Sequence, residues 1–432
     1  MGLFGSKSKK VAPAKGLKGA MQVPGDKSIS HRYAMLGAIA EGTTEIHVFA
    51  TSADCQSTLA CLKRLGAKIE RSDNVVTIQG AGLAGLKAPS EKLDAGNSGT
   101  TMRMLAGILA GQPFRAVMVG DASLSRRPMK RVIDPLTQMG ARIRSAEGGL
   151  PPLEIEGGAL KPIRYELPVP SAQVQSCVLL AGLFAEGVTE VVETVSTRDH
   201  TELALEQMGA EVGRHQRTIA VQGRAKLKGQ KLYVPGDFSS AAFFIAAGLV
   251  TPESNLVLQN VGLNPTRTAL LDVLAPMGGH VRVINLEILN GELLGDVHVE
   301  SSRLRGGEIH PDLIPGLIDE LPVLAVLGTQ TERGLTFHGA AELRVKESDR
   351  LAAVAENLRR MGAEVEEFPD GLRVSGQQKL RGAEIDPHGD HRIAMAFTVA
   401  GLVAQGTTTI RDPACVDISY PGFFDTLARV AE

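Results

Sequence analysis

The chain has 432 residues, enough for two or three domains of about 150 residues, each able to bury a core. Its 46 Lys and Arg against 48 Asp and Glu leave a formal charge of -2, so no global basic field exists to drive nucleic-acid binding. Aromatic residues are 4% of the chain with no Trp, which argues against stacking platforms for bases or sugars and leaves polar and charged groups to hold any ligand.

The first ten residues, MGLFGSKSKK, read as the start of a disordered basic tail over residues 1–15. They lack the apolar segment of a secretory signal, which points to the cytoplasm. The longest apolar stretch, Ala394 to Ala404, falls well short of the roughly 18 to 20 residues that cross a bilayer, so a soluble protein without a membrane partner is expected. Cys55, Cys61, Cys177 and Cys415 are scattered, with no CxxC pair and no His in ligand spacing. They read as reduced, buried thiols.

Along the chain, an Ala-rich apolar helix closed by a Gly-containing turn and followed by a β-branched strand recurs six times. The copies begin near Ser28, Thr100, Ser171, Ser239, Asp319 and His391, a period of about seventy residues. A second helix follows in most copies, as CLKRLGAKI, LTQMGARI, LEQMGAEV, LAPMGGHV and LRRMGAEV, with Gly66, Gly140, Gly209, Gly278 and Gly362 at its C-terminal cap. The sixth copy is cut short after FFDTLARV. Helices this rich in small apolar residues are expected to be buried on nearly all sides, with sheets outside them. Three units per lobe is the natural division, with a boundary near Pro235 to Gly236. The short strand around Leu17 to Val23 is assigned to the lobe formed by the C-terminal half.

Polar and charged residues collect at the N-termini of the repeated helices: Gly25-Asp26-Lys27-Ser28, Asn97-Ser98-Gly99-Thr100, Ser171-Ala172-Gln173, Gly236-Asp237-Phe238-Ser239, Ile318-Asp319-Glu320 and Gly389-Asp390-His391-Arg392. Helix N-termini present unpaired N–H groups and a positive dipole end, which attract anions. Three basic clusters lie beside them: Lys27 with Arg32; Arg103 with Arg126 and Arg127; and Arg392 with Lys346 and Arg350. A single surface Lys or Arg usually marks only a solvated face. Repetition at helix N-termini favours a polyanionic ligand instead, with Arg suited to bidentate pairing and Lys27 able also to move a proton. Asp319 reads equally as a helix N-cap or a functional acid. Glu347, between Lys346 and Arg350, reads alone as a surface ion pair. No GxxxxGK[ST] loop and no HExxH occurs, which disfavours nucleotide hydrolysis and zinc chemistry.

The motifs PGDKSISHR, GNSGTTMR, SLSRRP, PSAQ, ELRVKESDR and GDHRIAM, with the six-unit length, resemble the 5-enolpyruvylshikimate-3-phosphate (EPSP) synthase family from about Gly16 to Glu432. RDHTE at Arg198 to Glu202 and NPTR at Asn264 to Arg267 resemble its variant class II, which includes glyphosate-tolerant bacterial enzymes. The resemblance implies an inside-out α/β barrel fold of two lobes, each of three βαβαββ repeats with buried helices and outer sheets. Residues 16–24 and 236–432 would form one lobe and 25–235 the other, closing on substrate in the cleft between them. It implies a monomer in which the 5-hydroxyl of shikimate 3-phosphate displaces phosphate from phosphoenolpyruvate through a tetrahedral adduct, without metal or organic cofactor.

Carried over by position, Lys27, Ser28, Arg32, Ser171, Ala172, Gln173, Arg198, Asp319 and Lys346 would hold shikimate 3-phosphate. Lys27, Gly99, Arg127, Gln173, Arg350 and Arg392 would hold phosphoenolpyruvate. Lys27, Asp319 and Glu347 would be the catalytic groups. Two positions depart from the pattern: Ile418 stands where many members carry Lys, and Gln175 where the variant class commonly carries Lys. The sister family that transfers enolpyruvyl to UDP-N-acetylglucosamine places a reactive Cys in the loop from Gly120 to Pro128, where this chain has none. A non-catalytic anion-binding scaffold would explain the helix ends, but not Lys27, Asp319 and Glu347 together.

Overall fold

The computed structural model describes residues 8–432. It is a mixed α/β structure that divides into two compact units. Unit one comprises residues up to Pro24, Gly236–Glu287 and Leu293–Glu432; unit two comprises Gly25–Pro235 and the short segment Ile288–Glu292. No helix among the described residues is long and apolar enough to cross a membrane.

The helices are α1 (Lys27–Ile39), α2 (Ala53–Arg64), α3 (Gly99–Ala110), α4 (Lys130–Gln138), α5 (Ala172–Gly182), α6 (His200–Gln207), α7 (Phe238–Val250), α8 (Ala269–Leu274), α9 (Ile314–Leu317), α10 (Leu321–Gly328), α11 (Arg350–Arg360), α12 (His391–Val403) and α13 (Phe423–Val430). The Ala-rich helices α1, α3, α5, α7, α10 and α12 are buried along nearly their whole length. The helices that follow them show a solvent-facing side, as in α11, where Ala352 and Glu356 are half-buried and Arg359 and Arg360 exposed. Side-chain oxygens close most of the buried N-termini: Asp26, Ser98, Ser171, Asp237 and Asp390 each accept a backbone N–H of the first turn. The glycines after α2, α4, α6, α8 and α11 all sit at positive φ, from 80° to 112°, the left-handed conformation of a helix C-cap.

Among the described residues the strands form five four-stranded sheets and one of three. A common pattern runs through them. In the second copy, Leu93–Asp94 lies parallel to Arg115–Val119, which pairs antiparallel with Leu150–Glu156 and then Arg142–Ala146. The strand before a buried helix thus lies beside the strand after it, and a hairpin completes the sheet. Three of the described strands depart from chain order: Lys18–Gln22 joins Asn255–Gly262 and Lys231–Tyr233 joins Glu41–His47, both parallel, and Ser8–Val11 joins Thr408–Arg411, antiparallel.

Residues 8–11 correct the expectation of a disordered tail. Ser8–Val11 pairs antiparallel with Thr408–Arg411, and Val11 is buried. Its side chain lies over Gly401 of α12, so burial of that valine and four residues of ladder hold a segment whose composition alone reads as unstructured. Residues 1–7, the rest of the expected tail, lie outside the described residues.

A spacing hidden in the repeats explains the close fit of helix to sheet. Gly37, Gly182, Gly328 and Gly401 each face the residue seven positions later: a Cβ added there would lie 3.1, 2.8, 2.7 and 3.1 Å from the Cβ of Thr44, Thr189, Leu335 and Thr408. The helix back therefore rests on the strand that follows it, at a distance only glycine permits.

Candidate active site

Unit two gathers most of the expected residues at the starts of α1, α3 and α5. Lys27 is the first residue of α1, and its Nζ lies 2.8 Å from Asp54 Oδ2, with both side chains largely buried. Ser28 supplies its carbonyl to Arg32 Nη1. Arg32, one turn further into the helix and 3% exposed, is aimed by two hydroxyls: Nε donates to Thr201 Oγ1 at 2.7 Å and Nη2 to Ser176 Oγ at 2.8 Å. Burial lowers the Arg32 pKa to about 10 against the pull of Glu202 and Asp26, so the guanidinium stays charged at neutral pH.

Gly99 opens α3 behind the Ser98 cap. Arg127 donates to Asn97 Oδ1 at 2.9 Å and Ser123 Oγ at 3.1 Å, beside that helix end. Gln173, in the first turn of α5, accepts from Arg103 Nη1 at 2.6 Å and donates to Thr100 Oγ1 at 2.9 Å, tying the α3 and α5 N-termini together. Ser171 caps α5, whose first residue is Ala172. Arg198 is half-buried, two residues before α6. Arg126, expected beside Arg127, is exposed on the other side of its short turn and joins none of these contacts.

Unit one holds the acids, and here the charge pattern differs from the sequence reading. Arg350, 1% exposed, is bound by three carboxylates: Nε to Asp390 Oδ2 at 2.8 Å, Nη2 to Glu347 Oε2 at 2.5 Å and Nη1 to Asp319 Oδ1 at 3.4 Å. Arg392 Nε lies 3.4 Å from the same Asp319 oxygen, and its Nη1 donates to the Asp319 carbonyl. The third "basic cluster" is therefore a charge-balanced network. A buried guanidinium needs compensating carboxylates, and local sequence spacing cannot reveal those brought from other elements. Burial works against the Arg350 charge, but Asp390, Glu347 and Asp319 outweigh it and hold its pKa well above the ordinary arginine value. Lys346 moves the other way: burial lowers its pKa despite Asp319, Glu342 and Glu347 nearby.

Two local readings fall with this geometry. Asp319 is not an N-cap, because α10 starts at Leu321 behind Glu320 and no side chain caps it; its carboxylate faces the arginines instead. Glu347 is not a surface ion pair, since its partner is buried. Gln175, at the position where class II commonly has Lys, is fully buried and donates to Glu202 at 3.0 Å and Glu193 at 3.4 Å. The four cysteines are free, three buried and Cys415 half-buried.

A model of the EPSP synthase (3-phosphoshikimate 1-carboxyvinyltransferase) family matches residues 11–427. The chain belongs to the EPSP synthase family. It is 56% identical to the 3-phosphoshikimate 1-carboxyvinyltransferase of Solibacter usitatus over 98% of this chain and 100% of the relative. The Synechococcus enzyme of the same name is 55% identical over 97% and 96%. Among solved structures, EPSP synthase from Acinetobacter baumannii superimposes with a TM-score of 0.88 at 45% identity, covering 98% of both chains. The enolpyruvyl transferase NikO from Streptomyces tendae shares the fold, with a TM-score of 0.78 at 18% identity over 98% of this chain and 97% of that one. EPSP synthase family membership makes this chain a carboxyvinyltransferase of the shikimate pathway.

Sequence reasoning singled out neither Asp54 nor Ser176, which hold Lys27 and Arg32 from neighbouring elements. Asn97, Thr201 and Asp390 did carry a local signal, inside NSGT, RDHTE and GDHR, but their partners did not show.

Proposed function

We propose that these two charged clusters carry out the enolpyruvyl transfer, with Lys27, Asp319 and Glu347 moving the protons. The observation that carries the reading is the convergence of Asp319 and Glu347 on one buried guanidinium, with Arg392 on the same Asp319 oxygen. Two carboxylates held by cations beside an anion-binding helix end supply a base and an acid for a phosphorylated substrate.

In the proposed reaction the C5 hydroxyl oxygen of shikimate 3-phosphate bonds to C2 of phosphoenolpyruvate, losing its proton to a base, while C3 takes a proton to become a methyl group. The tetrahedral adduct then loses a C3 proton, and the C2–O bond to phosphate breaks, giving the enol ether and inorganic phosphate. Asp319 suits the hydroxyl and Glu347 the carbon. Lys27 is placed to neutralise substrate oxyanions and to exchange a proton. The sequence as written uses no cofactor.

Shikimate 3-phosphate is assigned to Lys27, Ser28, Arg32, Ser171, Ala172, Gln173, Arg198, Asp319 and Lys346. Phosphoenolpyruvate is assigned to Lys27, Gly99, Arg127, Gln173, Arg350 and Arg392. Helix N-termini capped by Ser98 and Ser171 and the cation-rich surroundings support the anion sites. We read the two units as the lobes of an inside-out α/β fold, a reading supported by the burial of the six Ala-rich helices. A monomer working in the cytoplasm fits the free thiols.

The test is phosphate release from purified protein. Release requiring both phosphoenolpyruvate and shikimate 3-phosphate is expected; release from phosphoenolpyruvate alone, or none with both, would overturn the reading.

A further inference from the structure

His200 of the RDHTE motif is buried against a partner that is 92 positions distant in sequence. Its Nδ1 lies 2.6 Å from Glu292 Oε1, and both side chains are 2% exposed. An ionised carboxylate only accepts, so with Glu292 in that form the imidazole donates from Nδ1. Glu292 belongs to Ile288–Glu292, the one piece of unit two that comes from the far half of the chain. The same turn is fixed at one more point and lies close to α6 at another. Asn290 Oδ1 accepts the backbone N–H of Tyr233 at 2.9 Å, and a Cβ added at Gly291 would lie 3.8 Å from Leu203 of α6.

The segment thus seats against α6, and α6 carries what aims Arg32. Thr201, next to His200, accepts Arg32 Nε at 2.7 Å and shares a 2.6 Å hydrogen bond with Ser176, which takes Arg32 Nη2. Arg198 lies two residues before His200. Glu292 also acts on Arg32 electrostatically, supporting its charge against burial.

We infer that Glu292 is a positioning residue for shikimate 3-phosphate binding: through His200 it fixes the N-terminal turn of α6, and through Thr201 it fixes the direction of Arg32. The inference rests on the reading that Arg32 and Arg198 hold shikimate 3-phosphate. Glu292 touches neither substrate. Its effect is expected chiefly on that substrate, because the unit-two groups assigned to phosphoenolpyruvate alone, Gly99 and Arg127, lie on α3 and the loop before α4, whereas Lys27 and Gln173 are assigned to both substrates.

The experiment measures the Kd for shikimate 3-phosphate by calorimetry and the KM for phosphoenolpyruvate in full-length wild type, Glu292→Ala and Glu292→Gln. Expected is a rise in the shikimate 3-phosphate Kd of about 10- to 100-fold for Glu292→Ala, the range seen when a supporting hydrogen bond behind a binding group is lost. The phosphoenolpyruvate KM stays within about twofold, and Glu292→Gln, which keeps an acceptor for His200, recovers most of the affinity. An unchanged Kd in Glu292→Ala, or equal losses for both substrates, overturns the inference. Should Glu292→Ala fail to fold, His200→Leu is read by the same criterion. A wild type that neither binds nor turns over shikimate 3-phosphate defeats the functional reading and this inference with it; an active wild type with an unaffected variant defeats the inference alone.

Discussion

Arg350 Nε donates to Asp390 Oδ2 over 2.8 Å, with exposures of 1% and 0%. The other Asp390 oxygen accepts the backbone N–H of Arg392 at 2.9 Å. One carboxylate therefore fixes a buried arginine, caps α12 and sets the root of a second arginine.

Replacing Asp390 by Ala leaves Arg350 with less compensation and opens the α12 N-terminus. Breaking a buried pair by deleting one partner costs about 3 to 5 kcal/mol. Denaturant unfolding is expected to show a loss of that order, and the residual enzyme a raised phosphoenolpyruvate KM.

Lys27→Met and Glu347→Ala are expected to lower kcat by about 10² to 10⁴ while leaving shikimate 3-phosphate binding far less affected. Asp319→Ala should reduce both turnover and binding, because Asp319 also holds Arg350 and Arg392. Steady-state kinetics and calorimetry check this; near wild-type turnover at saturating substrate in any of the three removes that residue from the proton-transfer set.

Gly99 leads to a prediction about glyphosate: the resemblance to class II implies that this inhibitor would compete with phosphoenolpyruvate here and that tolerant members carry Ala at this position. A methyl group here would meet Arg103 Nη1 at 3.3 Å and Arg127 Nη1 at 3.4 Å. It would act by pushing guanidinium groups as well as by filling space. Wild type is expected to be inhibited. Gly99→Ala should weaken inhibition more than phosphoenolpyruvate use, by roughly 1 to 3 kcal/mol. Equal changes in the inhibition constant and the phosphoenolpyruvate KM would refute this.

Glu202 gives a pH dependence. Burial raises its pKa from 4.5 to about 7 in the folded protein, so the native state keeps a proton that the unfolded chain releases. Stability is then lost as pH rises from about 4.5 to 7 and is level above that. Gln175→Lys would set an ammonium group near Glu202 and Glu193 and should flatten this slope, with a gain on the order of 1 to 3 kcal/mol at pH 8. Unfolding midpoints at pH 5 and pH 8 for both proteins decide it; parallel pH profiles would show that Glu202 does not titrate in this range.

Gly328→Ala brings a methyl to 2.7 Å from Leu335 Cβ, too close without movement of helix or strand. Better helix propensity contributes about 1 kcal/mol, and overpacking costs about 1 to 3, so a net lowering of the melting temperature is expected. A rise in melting temperature would mean that the helix–strand spacing yields readily.

The repeats, their buried helices and the capping glycines were legible because each rests on a local pattern: small apolar runs, a polar N-cap, a glycine after the last turn. The motifs also exposed Lys27, Arg32, Asp319, Glu347, Arg350 and Arg392 as residues worth watching. What stayed hidden was their pairing. Asp54 opposite Lys27, Thr201 opposite Arg32 and Glu292 opposite His200 are set by tertiary contacts between distant segments. Val11 was missed for the same reason, since one buried side chain in a basic stretch leaves no periodicity to read.

The seven-residue interval from Gly37, Gly182, Gly328 and Gly401 to their facing strands constrains how such a chain can change length. One residue inserted inside that interval would slip the strand and turn its inward side chains outward, so insertions must collect in the hairpins instead. The fourth copy, whose helix glycine Gly248 faces Val299 of its own hairpin instead, is where the hairpin has grown. Its hairpin strands, His280–Leu289 and Glu292–Glu300, have 10 and 9 residues, whereas those of the third copy, Val212–His215 and Thr218–Gln222, have 4 and 5. Growth at a hairpin turn leaves the span between a buried helix and the strand after it unchanged, and it is at such a turn that Glu292 reaches His200.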